Sequence, residues 1–291
     1  MIQPKTISEQ MQYSTIRLVT NSGSKGTGFF FQFKINEQNI PIIITNKHVI
    51  NDNRSEEVNF FLHAKNEQGL SEEKINIRFK PDWYFHNDKD LCFCFFAPLL
   101  HQIREQLKKD VFFIPITEDL IWDDKKLEDL SAIEEIIMVG YPIGLWDEKN
   151  NLPLFRKGIT ASHPAIDFNN KNIGVVDMAC FPGSSGSPIF ILNENGFSDK
   201  KGTTYLGAKR LVFLGILFQG PQFNAKGDLI IENIPTQQKV ISTTPLMIII
   251  PHICHEKERF AFGSINNENI NVKSASTVEN SIACSFSSVF F

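Results

Sequence analysis

The sequence has no long apolar run and no large excess of charge of either sign. Its longest apolar stretches, "VFLGILF" and "PLMIIIPHIC", are far shorter than the roughly 20 residues that a helix needs to cross a bilayer. The net charge is −4 and the pI is about 6.0, so the chain offers nucleic acid no strong electrostatic attraction. We therefore expect a globular protein whose partners are neither nucleic acid nor a membrane.

The sequence also lacks a disulfide framework and a recognisable export signal. It has five cysteines, an odd number without regular spacing. Its first residues, "MIQPKTISEQMQYSTIRLV", do not have the basic-then-apolar order of a secretory signal. These features together favour a reducing, cytoplasmic location. A trimmed mature form, or secretion by a non-standard route, stays open.

Phenylalanine is plentiful, with 26 residues against 4 tyrosines and 3 tryptophans. No basic residues alternate with these rings, so we interpret them as core residues rather than a base-stacking surface. Short β-branched or Phe-rich segments recur along the chain, separated by turn residues, and this pattern predicts strands. The first set is "STIRLVT", "GTGFFFQFKI", "IPIIITN", "VNFFLHA", "KINIRFK" and "DLCFCFF". The second set is "VFFIPI", "EEIIMVGYP", "FRKGITAS", "NIGVVDMA", "GSPIFIL", "RLVFLGILFQ" and "DLIIENI".

Two sets of about six strands predict an all-β fold of two six-stranded antiparallel β-barrels. One clearly helical stretch, "PLLHQIREQLKKD", lies between the sets, and "IWDDKKLEDLSAIEE" is typical of a loop with a helical turn. "LMIII" predicts a short final strand or helix. We expect an N-terminal barrel over 1–110, a C-terminal barrel over 111–255 and an Asn/Ser/Glu-rich tail over 256–291.

Three residues have the types and the order of a nucleophilic triad. His48 follows the apolar strand "IIITN", and Asp90 begins "DLCFCFF", where alternation puts it on the apolar face of Cys92 and Cys94. A buried carboxylate needs a partner, and an imidazole is a good one. Ser185 lies in the turn "PGSSGSP", so the order along the chain is His, Asp, Ser. That order differs from those of subtilisins and α/β-hydrolases.

Other polar residues have plainer interpretations. His163 and Asp88 are alternative triad members, although Asp88 precedes its strand and is typical of a solvated turn. Cys92 and Cys94 are better interpreted as core residues than as redox residues. The segment "PHICHEKE" contains His252, Cys254 and His255, but a metal site needs about four ligands and no second cluster accompanies it. We therefore predict no metal and no cofactor.

Four blocks in the right order resemble the trypsin-like peptidases of the chymotrypsin fold, and in particular their bacterial HtrA-like branch. They are "GTGFFF…IIITNKHVI", "DLCFCFF", "IIMVGYPIGL…FRKGITAS" and "DMACFPGSSGSPIF…FLGILFQG". The resemblance implies a chymotrypsin-like fold with the active site in the cleft between two barrels. It implies that His48, Asp90 and Ser185 form the catalytic triad.

The resemblance also separates the three serines of the turn. Ser185 takes the nucleophile position, Ser184 the variable position before it, and Ser187 the position of the second glycine. The oxyanion hole then spans Gly183, Ser184 and Ser185, with the N–H groups of Gly183 and Ser185 as its donors. Glycine suits position 183 because the turn needs torsions that a Cβ would strain.

Substrate-binding residues follow from the same resemblance. Ala179 lies at the base of the S1 pocket, so cleavage after Lys or Arg is not expected, and small or medium apolar P1 residues are favoured. Phe218, Gln219 and Gly220 would pair with extended substrate as an added strand. Asp177 matches an aspartate of the HtrA-like segment and is interpreted as structural.

The sequence departs from its relatives in two ways. Digestive trypsin-like enzymes have an aspartate before the nucleophile that a newly cleaved N-terminal amine locks, and here that position is Ser184. Activation by N-terminal cleavage is therefore not expected. The HtrA-like pattern continues into a PDZ domain of roughly 90 residues, for which too few residues follow the protease part here.

Three functions stay open at this point. The first is a serine endopeptidase that hydrolyses protein or peptide substrates through an acyl-enzyme. The second is a catalytically silent relative that binds peptides in the substrate groove. The third is a regulated protease effector in a bacterial defence or stress system, with an unknown regulatory partner.

Overall fold

Two β-sheets of almost entirely antiparallel strands form the framework of the protein in the computed structural model, which describes residues 2–35, 38–142, 146–219 and 237–242. These residues belong to one compact unit that covers Met1–Met247. The predicted tail at 256–291 lies outside the described residues. No helix among the described residues is long and apolar enough to cross a membrane. The predicted all-β class is confirmed.

The first sheet contains every strand that the sequence predicts for the N-terminal half. Its main path runs β5-β4-β1-β2-β3-β7-β6, with β8 paired to β4 and β9 paired in parallel to β2. Three of these strands are only two or three residues long, which raises the total above the predicted six. The strands are β1 (Thr15–Thr20), β2 (Lys25–Ile35), β3 (Gln38–Thr45), β4 (Val58–Asn66), β5 (Gly69–Phe79), β6 (Tyr84–Phe85), β7 (Cys92–Phe95), β8 (Asp110–Phe112) and β9 (Ile116–Thr117).

The segment "VFFIPI" does not begin the second set of strands, and this part of the prediction is wrong. Its two ends contribute to β8 and β9, which add to β4 and β2 of the first sheet. The physical reason is that an apolar β-branched run identifies a strand but does not identify its partner. The changeover between the sheets therefore lies between Thr117 and Glu135.

The second sheet is a closed six-stranded barrel in the order β10-β11-β12-β17-β16-β13. Five of its strands were predicted, whereas β17 is polar in sequence and was not. The predicted strands "DLIIENI" and "LMIII" lie outside the described residues. The barrel strands are β10 (Glu135–Gly140), β11 (Leu154–Thr160), β12 (Ile173–Asp177), β13 (Pro188–Asn193), β16 (Arg210–Gln219) and β17 (Gln237–Ser242); β14 (Gly196–Ser198) and β15 (Thr204–Leu206) form a separate hairpin.

The described helices are short and lie outside the sheets. They are α1 (Ile7–Met11), α2 (Ala97–Leu107) and α3 (Asp124–Glu128). Helix α2 confirms the predicted helical stretch: it has a proline in its first turn, buries Leu99 and Ile103, and ends at Lys108 in the left-handed conformation. Helix α3 confirms the predicted helical turn.

Phenylalanine rings join the two sheets. Phe29 and Phe31 of β2 contact Phe213 of β16, with ring centroids 5.5 and 6.3 Å apart, and Phe213 also contacts Phe190 of β13. All four side chains are almost completely buried. Burial of a Phe side chain contributes about 2 kcal/mol or more, so this cluster fixes one sheet against the other. The interpretation of phenylalanine as core is confirmed for these residues.

Candidate active site

His48 and Asp90 lie at the ends of neighbouring strands. β3 ends at Thr45, and His48 begins a short 3-10 turn after it. Asp90 precedes β7, and β7 pairs with β3 so that Cys92 is opposite Thr45. The Nδ1 atom of His48 is 2.5 Å from Oδ2 of Asp90, and the His48 backbone N–H donates to Oδ1 at 3.2 Å. Two contacts to one carboxylate fix the orientation of the imidazole.

The surroundings of Asp90 keep it ionised. Burial alone would raise the pKa of this carboxyl, but hydrogen bonds from the His48 side chain and from the backbone of His48 and Lys47 outweigh burial and lower the pKa. The amide of Asn46 donates to the Asp90 carbonyl oxygen at 2.7 Å and holds the loop in place. The Asp90 carboxylate can therefore stabilise a positive charge on the imidazole.

The second ring nitrogen of His48 is available for chemistry. The side chain is 44% exposed, and Nε2 has no hydrogen-bond partner among the described residues. With Nδ1 bound to an ionised carboxylate, the neutral ring carries its proton on Nδ1 and leaves the Nε2 lone pair free. This is the arrangement of a general base.

The segment Phe181–Ser184 forms a tight turn immediately before Ser185. The N–H of Ser184 donates to the Phe181 carbonyl oxygen at 3.0 Å, with Pro182 second and Gly183 third in the turn. Gly183 has φ of +89°. These are the features of a type II β-turn, which requires a positive φ at its third position. The requirement for glycine that the sequence suggested at 183 therefore has a defined geometric cause.

Burial distinguishes the three serines of this segment. The side chains of Ser184 and Ser187 are 1% and 0% exposed, whereas Ser185 is partly exposed. The Oγ of Ser184 accepts a 3.4 Å hydrogen bond from the Phe181 N–H and so belongs to the turn. Among the three, Ser185 is the one that a substrate can reach.

Two backbone amide donors of the serine turn are unused as far as the described residues go. Neither the Gly183 N–H nor the Ser185 N–H donates to another group in the described ranges. The intervening Ser184 N–H is already bonded to Phe181. Two unused N–H groups next to an accessible hydroxyl can stabilise the negative oxygen that forms when the hydroxyl attacks a carbonyl group.

Hydrogen bonds tie the serine turn to the first sheet close to His48. The Thr27 N–H donates to the Ser185 carbonyl oxygen at 2.9 Å, and Thr27 Oγ1 donates to the Gly183 carbonyl oxygen at 3.0 Å. Thr45, three residues before His48, donates from Oγ1 to the Thr27 carbonyl oxygen at 2.8 Å. The turn is thus fixed relative to the strand that leads into His48.

Gly186 permits this close packing. A Cβ at this position would lie 1.9 Å from the carbonyl oxygen of Thr27 and 2.7 Å from Oγ1 of Thr45. Its φ of +84° is also in the region that favours glycine. Gly186 is therefore required both for the contact between the sheets and for the backbone conformation.

One of the predicted substrate-binding residues lies just before the serine turn, and two others lie at the end of β16. Ala179 follows β12 and is partly exposed, and Phe218 and Gln219 end β16. Pairing of β16 with β13 stops at Ile216, so no described strand covers this edge at Phe218 and Gln219. That edge can accept an extended peptide. Gly220 lies outside the described residues.

Asp177 belongs to β12, where it pairs with Ile159 of β11. This position within a strand agrees with its interpretation as structural. It precedes Ala179 by two residues and is partly exposed.

The alternative site residues have other contacts. Asp88 is exposed, and its N–H donates to Nδ1 of His86, as expected for a turn. His163 accepts from the Ala165 N–H, and its Nε2 is 3.4 Å from the Lys200 ammonium nitrogen. Cys92 and Cys94 are buried, which confirms them as core residues. The cluster His252, Cys254 and His255 lies outside the described residues.

Sequence reasoning missed the residues that hold the site together. Thr27 is fully buried and bonds to Gly183, Ser185 and the N–H of Tyr141, yet it was not singled out as a site residue. The available signal was the "GTG" at 26–28, where one polar residue lies between two glycines directly before three phenylalanines. A buried hydroxyl of this kind needs partners, and here they belong to the other sheet.

The chain matches one family model and has a partial likeness to two solved structures. The family model described as "Trypsin-like peptidase domain" matches residues 26–196, which is more than half of the chain. The inactive form of a mutant of Rv3671c from M. tuberculosis H37Rv is 12% identical with a TM-score of 0.44, over 87% of this chain and 96% of that one. A mutant of the tobacco etch virus protease is 13% identical with a TM-score of 0.42, over 85% of this chain and 82% of that one. No curated protein matches the chain significantly.

Proposed function

The chain belongs to the trypsin-like peptidase domain family, and we propose that it is a serine endopeptidase. In this proposal His48, Asp90 and Ser185 form the catalytic triad. The main support for this proposal is the 2.5 Å contact between His48 Nδ1 and Asp90 Oδ2. This contact leaves the other ring nitrogen, Nε2, free on the side chain that follows β3. A silent peptide-binding relative would have no need of an oriented imidazole.

The first step is attack by Ser185 on a peptide carbonyl. His48 Nε2 takes the hydroxyl proton as the C–O bond forms, and Asp90 stabilises the resulting imidazolium. The lowered pKa of Asp90 supports this role, since an ionised carboxylate is required at that moment. His48 then gives the proton to the leaving amine, which leaves an acyl-enzyme on Ser185.

The second step is hydrolysis of the acyl-enzyme. Water attacks the ester carbonyl while His48 accepts one of its protons. As the bond between the carbonyl carbon and Ser185 Oγ breaks, His48 returns that proton to Ser185 and the carboxylate product is released. In both steps the negative oxygen of the tetrahedral intermediate would accept hydrogen bonds from the N–H groups of Gly183 and Ser185. Their lack of partners in the described chain supports this assignment.

A serine rather than a cysteine nucleophile is part of the proposal. The described cysteines are Cys92, Cys94 and Cys180, and all are buried. Burial raises the pKa of each, so their thiolates are disfavoured. Ser185, by contrast, is accessible and adjoins the unused amide donors. Membership of the HtrA-like branch and a cytoplasmic location stay predictions.

The test is cleavage of a proteome by wild-type protein and by Ser185→Ala, with new N-termini identified by mass spectrometry. The proposal expects new internal N-termini with the wild type and none above background with Ser185→Ala. Ser187→Ala, which removes a buried hydroxyl of the same turn, serves as the matched control and should retain cleavage. Equal cleavage by Ser185→Ala would overturn the proposal. Retention of peptides without cleavage by the wild type would favour the silent peptide-binding alternative.

A further inference from the structure

Asp90 lies in the short hairpin loop that joins β6 to β7. The two strands pair, and the His86 N–H donates to the Leu91 carbonyl oxygen at 2.9 Å, which closes the loop. Between these ends, no N–H of residues 87–90 donates to a backbone carbonyl oxygen in the part of the chain that the structure describes. Backbone hydrogen bonds alone therefore do not fix the loop that carries the proposed triad carboxylate.

The His86 side chain supplies hydrogen bonds inside this loop. Its Nδ1 atom accepts from the N–H of Asp88 and from the N–H of Lys89, at 3.1 Å in each case. The imidazole therefore binds the two consecutive amides that come directly before Asp90. Loss of this acceptor would leave both amides without their partner and would free the next residue to shift.

This role usually belongs to asparagine or aspartate, whose side-chain oxygen accepts from an N–H two or three residues further along the chain. The protein uses both elsewhere. Asn53 accepts from the Ser55 N–H at 3.1 Å, and Asp123 accepts from the Lys126 N–H at 2.9 Å. Histidine differs from asparagine because its acceptor nitrogen is lost when the ring is protonated, and an imidazole titrates near neutral pH.

The hydrogen bonds fix the protonation state of His86 in this loop. Because Nδ1 accepts, the neutral ring carries its proton on Nε2. A second proton, on Nδ1, would point a donor at the N–H groups of Asp88 and Lys89. Both hydrogen bonds would then be lost, so the loop conformation requires a neutral His86.

The charged groups that face His86 are Asp88 and Lys89 of the same loop and Lys47 of the turn before His48. Burial lowers the pKa of His86 from 6.5, Asp88 raises it in part, and Lys47 and Lys89 lower it further. His86 is therefore neutral at pH 7 and gains its proton only in mildly acidic solution.

We propose that His86 is a positioning residue of the triad, whose neutral imidazole holds the loop so that Asp90 contacts His48. This inference rests on the proposed function. The amide of Asn46 still holds the Asp90 carbonyl oxygen when His86 is protonated, so the loop stays attached and the direction of the carboxylate changes. Activity then requires two neutral histidines, His48 as the base and His86 as the acceptor within the loop.

The proposal predicts the steepness of the pH profile. Each histidine that must be neutral adds one unit to the slope of log kcat/KM against pH on the acid side. Asparagine can accept the same two hydrogen bonds, since its Oδ1 is as many bonds from Cα as Nδ1 of histidine, but it does not titrate. Below both pKa values, kcat/KM should fall by about 100-fold per pH unit in the wild type and by about 10-fold in His86→Asn.

The experiment measures kcat and KM for one peptide substrate between about pH 5 and pH 9, in the range expected for histidine titration. Tryptophan fluorescence at each pH identifies the values at which every variant is folded, and only these are compared. His86→Asn should retain the wild-type kcat at alkaline pH and show the shallower acid limb. The control is His101→Asn, which removes an exposed histidine and should keep the wild-type profile.

A second pair of variants tests whether His86 acts through Asp90. His86→Ala removes the acceptor at every pH, so it should lower kcat by up to about 100-fold with little change in KM. In an Asp90→Asn background the same substitution should have almost no further effect, because there is no carboxylate left to position. Equal losses in both backgrounds would overturn the inference.

Labelling by a fluorophosphonate separates this inference from the proposed function. Wild-type protein that is labelled and cleaves peptides, with acid limbs of the same slope in wild type and His86→Asn, would overturn the inference and leave the proposed function intact. An unchanged kcat in folded His86→Ala would do the same. If the wild type neither cleaves nor labels, both the proposed function and this inference fail.

Discussion

The backbone N–H of Thr27 donates a hydrogen bond to the carbonyl oxygen of Ser185, with 2.9 Å between nitrogen and oxygen. Thr27 belongs to β2 of the first sheet, and Ser185 follows a turn of the second barrel. The Thr27 hydroxyl forms two further bonds, as donor to the Gly183 carbonyl oxygen and as acceptor from the Tyr141 N–H. One buried residue therefore positions the proposed nucleophile against the sheet that carries His48.

Removal of the Thr27 hydroxyl should impair catalysis more than the loss of stability explains. Thr27→Val keeps the shape but leaves a buried carbonyl and a buried N–H without a partner, which should cost about 1–3 kcal/mol. A turn that shifts by even 1 Å should also lower kcat by up to about 100-fold. Urea unfolding and steady-state kinetics measure the two effects.

Thr160→Val is the matched control for Thr27→Val. Thr160 is also buried, and its hydroxyl likewise donates to a carbonyl, that of Ala132, and accepts from an N–H, that of Glu134. Its substitution should lower the free energy of unfolding by a similar amount with kcat almost unchanged. Equal losses of kcat in both variants would show that Thr27 has no special role.

Gly186 should tolerate alanine much less than Gly202 does. Both have φ above +80°, so the backbone penalty of about 1 kcal/mol is common to both. A Cβ on Gly186 would meet the Thr27 carbonyl oxygen at 1.9 Å, whereas one on Gly202 meets nothing within 4 Å. We expect Gly186→Ala to lower the free energy of unfolding by about 2–3 kcal/mol more than Gly202→Ala and to abolish cleavage. Similar unfolding midpoints for the two variants would contradict the close contact.

Stability should fall as the pH is lowered from about 6.5 to 4 because of His63. This side chain is 5% exposed, its Nε2 is 3.1 Å from the Asn151 carbonyl oxygen, and burial lowers its pKa from 6.5 to about 4. Between these values the unfolded chain binds more protons than the folded one, so protonation favours unfolding. The contribution of His63 to the free energy of unfolding should be nearly constant above pH 6.5. It should fall by about 3 kcal/mol between pH 6.5 and pH 4.

His63→Gln should remove this part of the acid sensitivity. The measurement is urea unfolding at several pH values, with exposed His101→Gln as the control that keeps the wild-type slope. The difference in slope between the two variants isolates His63 from the carboxylates that also titrate in this range. A slope that is unchanged in His63→Gln would contradict the burial of a neutral imidazole.

Activity should not depend on processing of the N-terminus. The turn before Ser185 already has the positive φ at Gly183, and the N–H groups of Gly183 and Ser185 have no acceptor in the part of the chain that the structure describes. Position 184 is a buried serine that bonds within the turn, so it offers no carboxylate for a new N-terminal amine. A fusion that blocks the N-terminus should be labelled by a fluorophosphonate at the same rate as the unblocked protein. Labelling only after removal of the fusion would contradict this.

The sequence predicts the strands and the His48–Asp90 pair because both depend on local patterns. Apolar residues mark β1 to β5, alternating with polar ones in β1, β4 and part of β5 and nearly continuous in β2 and β3. Paired strands bring their ends together, which makes a contact between His48 and Asp90 foreseeable. β17 was missed because "QQKVIS" is polar and its place in the barrel depends on backbone pairing with β12 and β16. The spacing of apolar residues along one segment does not specify which strands pair or which residues contact each other between the two sheets.

The same limit explains the parts of the site that the structure adds. Thr27 is more than 150 residues from Ser185 in sequence, and nothing local to either residue indicates the bond between them. Long-range proximity of this kind is a property of the packed fold.

The most direct measurement is the identification of the residue that a fluorophosphonate labels, by peptide mapping of wild type, Ser185→Ala, Ser184→Ala and Ser187→Ala. The account predicts a single adduct on Ser185, its complete loss in Ser185→Ala, and its persistence in the two buried-serine variants when they are folded. An adduct on another residue, or undiminished labelling of Ser185→Ala, would contradict the assignment of Ser185 as the nucleophile.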